Sequence, residues 1–227
     1  MLVRKAYQFK LEPTARQEQA FWQYAGSVRW VYNHMLAQRK AAYEAGEKTP
    51  TTNDQIKQLP VLKRQSETAW LATIYSQVLQ DAVLDLDDAF ARFFSRQNGC
   101  PTYKKKTSTR QSFSYPQNVK VEGNAVWLPK IGWVKFRRSH KPKRYREIAG
   151  TIKRATVKHK ASGWYVSVLT EQTVNVPESA AITPENSIGI DLGSIDLVTT
   201  SEGDKLENPR HYRKVERRLK RAAQPLA

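Results

Sequence analysis

The chain has 227 residues, 40% hydrophobic and 10% aromatic, which is enough to bury a sizeable core and too apolar for a disordered basic tail. Its 38 Lys and Arg against 21 Asp and Glu give a formal net charge of +17 and select a polyanionic partner, nucleic acid first, while the single cysteine, Cys100, excludes an internal disulfide framework and an all-cysteine zinc site. No run approaches the length of a membrane span and Met1 to Lys5 lack a signal-peptide core, so a soluble, cytoplasmic protein with no membrane partner is expected.

Residues 2 to 11 alternate with a period near two, with Val3, Lys5, Tyr7, Phe9 and Leu11 on one side, and read as a strand that ends at Pro13. Thr14 stands three residues before Gln17, a capping-box spacing. Phe21, Tyr24, Val28, Val31, Tyr32 and Met35 then recur at helical steps, predicting a helix to about Tyr43 with a bend near Gly26. Thr51 to Asp54 can cap a short helix ending near Leu62. A longer helix is predicted to carry Trp70, Ile74, Val78, Ala82, Leu86, Phe90 and Phe93 on one stripe. Residues 14 to 98 therefore read as a helical unit.

Composition changes after Phe94. From Arg96 to Lys160 there are 18 Lys and Arg against two acids, Glu122 and Glu147, so nearly all the excess charge lies in this span. Its local signals are those of strands: Phe113 and Tyr115, Val119 and Val121 before a Glu122-Gly123-Asn124 turn, Val126 to Leu128, Ile131 to Phe136, then a hairpin from Thr151 to Thr170 across Lys160 to Gly163. One strand, then helices, then several strands predicts an α+β fold in which the helices are inserted into a β-barrel begun by residues 2 to 11.

Residues 173 to 186, with Pro177 and Pro184, read as a linker. Ser187 to Gly193 followed by Ile195 to Thr200 has the pattern of two antiparallel strands joined by a tight turn, with Asp191 on the first. Three uses fit that string. It can be a metal-binding carboxylate of an RNase H-like nuclease, a phosphate hairpin of an actin-like ATPase, or an ordinary hairpin with a solvated aspartate. Only 36 residues follow Asp191, and their acids, Asp196, Glu202, Asp204, Glu207 and Glu216, sit at offsets or in polar sequence poorly suited to a two-metal site. Asn208 to Arg221 is predicted to be a basic helix with a thin apolar stripe of Val215 and Leu219, capped near Asn208-Pro209.

Four segments, Arg29-Trp30-Val31-Tyr32-Asn33-His34, Trp127-Leu128-Pro129-Lys130-Ile131-Gly132, Gly189-Ile190-Asp191-Leu192-Gly193 and Asn208-Pro209-Arg210-His211-Tyr212-Arg213-Lys214, together resemble TnpB proteins. These are the OrfB-type transposase-associated proteins of insertion sequences, similar to type V CRISPR nucleases. The resemblance implies a wedge-like barrel (1–13 and 99–172) interrupted by a helical recognition lobe (14–98), then the start of a RuvC-like, RNase H-like domain (187–227). It also implies a guide RNA and a double-stranded DNA target as partners in a bacterial or archaeal nucleoid, with a homodimer left open. Asp191 matches the first of the family's three catalytic carboxylates. Mg²⁺ would be the cofactor if any, and no zinc ribbon is expected within these residues.

In RNA-guided recognition the protein holds a heteroduplex by its backbone and reads a short adjacent motif directly. Lys104, Lys105, Lys106, Arg137, Arg138, Lys141, Lys143, Arg144 and Arg146 are the phosphate-binding candidates, with Tyr103, Tyr115 and Tyr145 placed to stack on unpaired bases. Solvated basic loops are the alternative for each of these runs. By position in the family, Ser76, Gln77, Gln80 and the strand residues Ser114 to Gln117 would face the adjacent duplex. Gln80 reads either as an adenine reader or as plain polar surface. His34 and His159 lack metal-ligand partners and are taken as structural or RNA-contacting. The functions that fit are an RNA-guided DNA-binding protein that is catalytically incomplete, an endonuclease or transposition accessory completed by another chain, and a stand-alone RNA-binding protein.

Overall fold

The structure, a computed structural model, describes residues 1–108, 111–137, 148–175 and 183–223. The chain divides into two compact units, Met1–Asn175 and Val176–Ala227. The first holds strand β1 (Leu2–Glu12), helices α1 (Ala15–Glu44) and α2 (Thr52–Leu62), a 3₁₀ helix (Ser66–Thr73) and helix α3 (Ser76–Phe94). Six strands follow: β2 (Ser112–Tyr115), β3 (Lys120–Glu122), β4 (Ala125–Leu128), β5 (Gly132–Arg137), β6 (Thr151–Lys160) and β7 (Gly163–Thr173).

These seven strands form one antiparallel sheet in the order β2-β6-β7-β1-β5-β4-β3. The first strand in sequence is central. Leu2 to Lys10 pair with β7, and Lys10 to Glu12 pair with β5, so β1 joins the two halves of the sheet. The chain is thus α+β, with the helices inserted between β1 and β2. Among the described residues no pairing of β2 with β3 closes the ladder, and the expected barrel is an open sheet. Its two edge strands are nonetheless consecutive in sequence, joined by residues 116–119. A link that short spans at most about 18 Å at roughly 3.5 Å per residue, so the sheet must curl until its edges approach. Pro116 and the left-handed Asn118 (φ 61°) break the strand between them, which keeps the two edges from pairing.

The helices are sealed at their starts as their sequences dictate. Thr14 and Gln17 form a reciprocal capping box on α1, as do Thr51 and Asp54 on α2. Helix α1 continues unbroken through Gly26. The long helix expected from Trp70 onward begins only at Ser76, after the 3₁₀ helix and an extended Ile74-Tyr75 pair. Here tertiary contacts override the apolar period. Ile74 is fully buried, the Tyr75 N–H donates to the Tyr24 hydroxyl at 3.2 Å, and the Lys130 ammonium donates to the Ala72 and Ile74 carbonyls at 2.7 and 3.4 Å.

Helices and sheet share one core. Phe21 of α1 meets Trp164 of β7 at 5.2 Å and Phe113 of β2 at 5.8 Å, and Tyr24 meets Phe113 at 5.2 Å. At the far side, buried Gln55 of α2 donates to the Met35 carbonyl at 2.9 Å and accepts from Arg39 at 3.0 Å, which locks α2 onto α1 without leaving an amide unpaired.

In the second unit, strands β8 (Ile190–Asp191), β9 (Asp196–Thr200) and β10 (Lys205–Glu207) form an antiparallel sheet in the order β10-β9-β8, followed by helix α4 (His211–Ala222). The turn after β8 needs a glycine. A Cβ on Gly193 would sit 2.8 Å from the Asp196 carbonyl oxygen. The start of α4 differs from the expected Asn208-Pro209 cap: Arg210 is the capping residue, in a left-handed conformation at φ 46°, held by its N–H donating to the Asn208 side chain at 3.0 Å.

Candidate nucleic-acid interface

The break before α3 is built on the Trp127 to Gly132 segment. Two buried phenols, Tyr24 and Tyr115, both donate to the Pro129 carbonyl, at 3.4 and 3.3 Å. Lys130 follows with φ 65°, a conformation that turns its ammonium onto the carbonyls at the end of the 3₁₀ helix. Lys63, at the end of α2, donates to the Ser76 hydroxyl at 2.7 Å. Burial, and then repulsion from Lys130, holds the Lys63 amine below its ordinary range. On the other side, the Asn118 amide donates to the Tyr75 hydroxyl at 2.8 Å.

This arrangement brings together residues that the sequence placed apart. Ser76 is exposed at the first position of α3, Gln77 and Gln80 are half-buried on its first turns, and Gln117 is exposed beside Asn118. Tyr75, the residue before α3, makes no side-chain cap, so helix N–H groups stay turned toward this surface with two lysines beside them. The corner can therefore take an anionic group and offer amide hydrogen bonds to base edges. Ser114 does not join it. Its hydroxyl is paired with Thr156 across β2 and β6 at 3.0 Å. Sequence reasoning missed Lys63, Tyr75, Asn118 and Lys130. The positive φ of Lys130 has no signature in a single sequence, whereas Asn118 is of the residue type most at ease there after glycine.

The second candidate surface is the segment from Pro101 to Ser108, tied down by Gln111. The Gln111 side chain donates to the carbonyls of Lys105, Lys106 and Ser108, at 3.4, 3.1 and 2.9 Å, and accepts from the Arg29 guanidinium at 2.8 Å. One buried amide thus folds the loop over α1 and leaves Lys105 and Lys106 exposed. Lys104 behaves differently from the expectation. Both its backbone polar groups bind the Asn33 side chain, and its ammonium lies 3.8 Å over the Tyr32 ring, although the residue as a whole stays exposed. Burial pushes its amine below the ordinary range, with Asp85 and Asp81 pulling it back. Tyr103 stays exposed, with the Lys40 ammonium 4.9 Å over its ring.

Tyr115 also departs from the expectation. It is fully buried and cannot stack on a nucleic-acid base; on the period-two pattern of β2 it falls on the inward face with Phe113. Arg137 is exposed at the end of β5 and paired with Glu12 at 3.0 Å. Arg138, Lys141, Lys143, Arg144, Tyr145 and Arg146 lie outside the described residues. His34 stacks on Trp30 at 4.7 Å and His159 lies 4.8 Å from Trp22, both as parts of aromatic clusters. Asp191 is exposed in the second unit, and its backbone pairs with Thr199. Among the described residues no group of three or more His, Cys, Asp or Glu is placed to hold a metal ion. No helix among the described residues is long and apolar enough to cross a membrane.

Comparison with known proteins gives four matches. A family profile described as a helix-turn-helix domain, HTH_OrfB_IS605, matches residues 1–48, which here form β1 and α1. A protein of Escherichia coli (strain K12) named "Putative RNA-guided DNA endonuclease InsQ" is 33% identical over 226 residues, covering 98% of this chain and 54% of that protein. A "Putative RNA-guided DNA endonuclease" of Streptomyces pristinaespiralis is 31% identical over 222 residues, covering 97% of this chain and 54% of that protein. The chain therefore spans about half the length of the curated relatives it matches. Among solved structures, a chain of a Cas12f1-sgRNA-target DNA complex aligns with a TM-score of 0.42 at 12% identity, covering 97% of this chain and 61% of that chain.

Proposed function

Because the chain belongs to the TnpB/OrfB family of insertion-sequence proteins, we propose that these 227 residues form the nucleic-acid-holding part of an RNA-guided DNA-binding protein, with a guide RNA and a double-stranded DNA target as its partners. The observation that carries this reading is the alignment of 98% of the chain with a relative named as an RNA-guided DNA endonuclease. The physical features support the same division of labour. Exposed lysines on an ordered loop suit a phosphate backbone, and the α3 corner offers amides and helix N–H groups of the kind that read a short duplex motif.

In this reading the curled sheet acts as the wedge, the inserted helices act as the recognition lobe, and β8 with β9 is the first hairpin of a RuvC-like domain. Asp191 is then the first carboxylate of a nuclease centre whose other ligands lie outside the described residues of this chain. The 227 residues by themselves bind rather than cut. The test is to purify the protein, extract and sequence its RNA, and measure duplex binding with and without that RNA. One structured, recurrent RNA that programmes which duplex is bound supports the proposal. A random sample of transcripts, or duplex binding indifferent to the RNA, would sink it and favour a general RNA-binding protein.

A further inference from the structure

A cleft of about 520 Å³ lies between α1 and the 3₁₀ helix, lined by Gln23, Gly26, Arg29, Trp30, Trp70 and Thr73 among others. That volume is within the range of sites for small organic groups, roughly 300 to 1,000 Å³. Two of its walls are indoles. Trp30 and Trp70 meet at 79° with centroids 5.6 Å apart, and Trp30 is held in place by His34, stacked on it at 4.7 Å and 9°. Trp70 is 42% exposed, its ring fixed by an Nε1–H bond to the Glu67 carbonyl at 3.2 Å.

The third wall carries charge. Arg29 is half-buried, spends one N–H on Gln111, and forms no ion pair with a carboxylate among the described residues. Its remaining donors are planar and suited to carbonyl, ring-nitrogen or phosphate oxygen acceptors. The same residue lines the neighbouring cleft formed by Tyr103, Lys105, Thr107 and Ser108, so a cationic surface continues from the aromatic corner. Gly26 leaves the space open, since a Cβ there would meet nothing closer than Arg29 Nη2 at 3.7 Å.

From these features we infer that the Trp30/Trp70 cleft binds a single unpaired nucleobase, stacked on an indole, with Arg29 contacting its edge or adjoining phosphate. The inference rests on the nucleic-acid reading above and adds to it a position where a base leaves its helix. Base-on-aromatic stacking is worth roughly 1 to 3 kcal/mol per base, about 5- to 150-fold in affinity, and does not depend on counterion release.

The test uses the full chain, freed of RNA by high salt, and three probes of equal length: a single-stranded oligoribonucleotide, its deoxyribose counterpart, and a deoxyribose-phosphate strand without bases. Trp70→Ala should weaken binding of a base-bearing strand about 5- to 150-fold at fixed salt without changing the salt slope, and Trp70→Phe should recover most of the loss. Gly26→Leu, which favours the helix while filling the cleft, should reproduce the Trp70→Ala loss. Neither variant should alter binding of the base-free strand. The ribose and deoxyribose arms show whether the base belongs to RNA or DNA. The inference is overturned if Trp70→Ala and Gly26→Leu bind all strands like the wild type, or if both weaken the base-free strand equally. If the wild type binds none of the three, the proposed function fails with it. Normal binding with a steep salt slope and no effect of Trp70 removes the cleft alone.

Discussion

The side-chain amide of Asn118 donates to the phenol oxygen of Tyr75 at 2.8 Å, tying the turn after β2 to the residue that precedes α3. Through this bond the edge of the sheet and the start of the helix become one surface, although the two residues are 43 positions apart.

Removing that tie should loosen the corner without unfolding the protein. Asn118→Gly keeps the left-handed backbone and Tyr75→Phe keeps the ring, so each should cost about 0.5 to 1.5 kcal/mol. Because the two changes remove one interaction, their costs should not add in a double-mutant cycle by denaturant unfolding. Additive costs would mean that the bond contributes nothing in solution. In guide-dependent duplex binding the single variants should be weaker than wild type, while RNA binding stays within about twofold.

The charge of the 96–160 span predicts a steep dependence on salt. If roughly 6 to 10 phosphates are neutralised, affinity should fall about 10³- to 10⁵-fold between 50 and 200 mM salt. Replacing Lys105, Lys106, Lys143 and Arg144 together with Ala should reduce the slope of log affinity against log salt by about 3 to 4. Replacing Glu44 and Glu47, which lie near the end of α1 and beyond it, should leave the slope unchanged. Titrations at four salt concentrations decide between a phosphate surface and a solubility device.

Asp81 should make stability fall as pH rises through the weakly acidic range. It is 3% exposed on α3, with Arg154 Nη2 2.6 Å from its carboxylate. Burial dominates and, with Asp85 and Asp88 adding repulsion, pushes its carboxyl up to about 6 against the pull of Arg154 and Lys104. A folded-state value above the ordinary one means that the contribution of this group is fully present below about pH 4 and lost as pH rises through about 6. Asp81→Asn should therefore gain on wild type by about 1 to 3 kcal/mol between pH 4 and 7. Thermal unfolding across that window measures it. An Asn variant that instead loses ground with rising pH would show that the Arg154 pairing outweighs burial.

Supplied with guide, target and Mg²⁺, the purified 227-residue polypeptide should bind DNA and leave it intact. Two-metal hydrolysis needs ions about 4 Å apart, one activating the nucleophile and the other stabilising the leaving oxygen, and among the described residues no carboxylate cluster stands with the exposed Asp191 to assemble them. Asp191→Asn should then leave RNA affinity within about twofold of wild type. Guided, Mg²⁺-dependent cleavage that disappears in Asp191→Asn would show that further ligands reach the site, with Asp196 and Asp204 the first to replace.

What local chemistry determines was legible in the sequence by itself. Two caps, Thr14/Gln17 and Thr51/Asp54, the Gly123-Asn124 turn, the β6–β7 hairpin and the hairpin around Asp191 all follow from residues within a few positions of one another. So did the α+β class and, through four motifs in register, the family. The long-range choices were not legible. An apolar period running from Trp70 into α3 says nothing of the Tyr24 hydroxyl and Lys130 ammonium that capture Tyr75, Ala72 and Ile74 from elsewhere in the chain and break the helix there. Tyr115 looks like a surface residue in a basic stretch. Tertiary packing buries its phenol against Pro129, and it draws the ammonium of the exposed Lys104 over Tyr32, because such contacts are settled by neighbours far away in sequence. The same holds for the Trp30/Trp70 corner, where the two indoles come from elements that the sequence leaves unconnected until the fold packs them together.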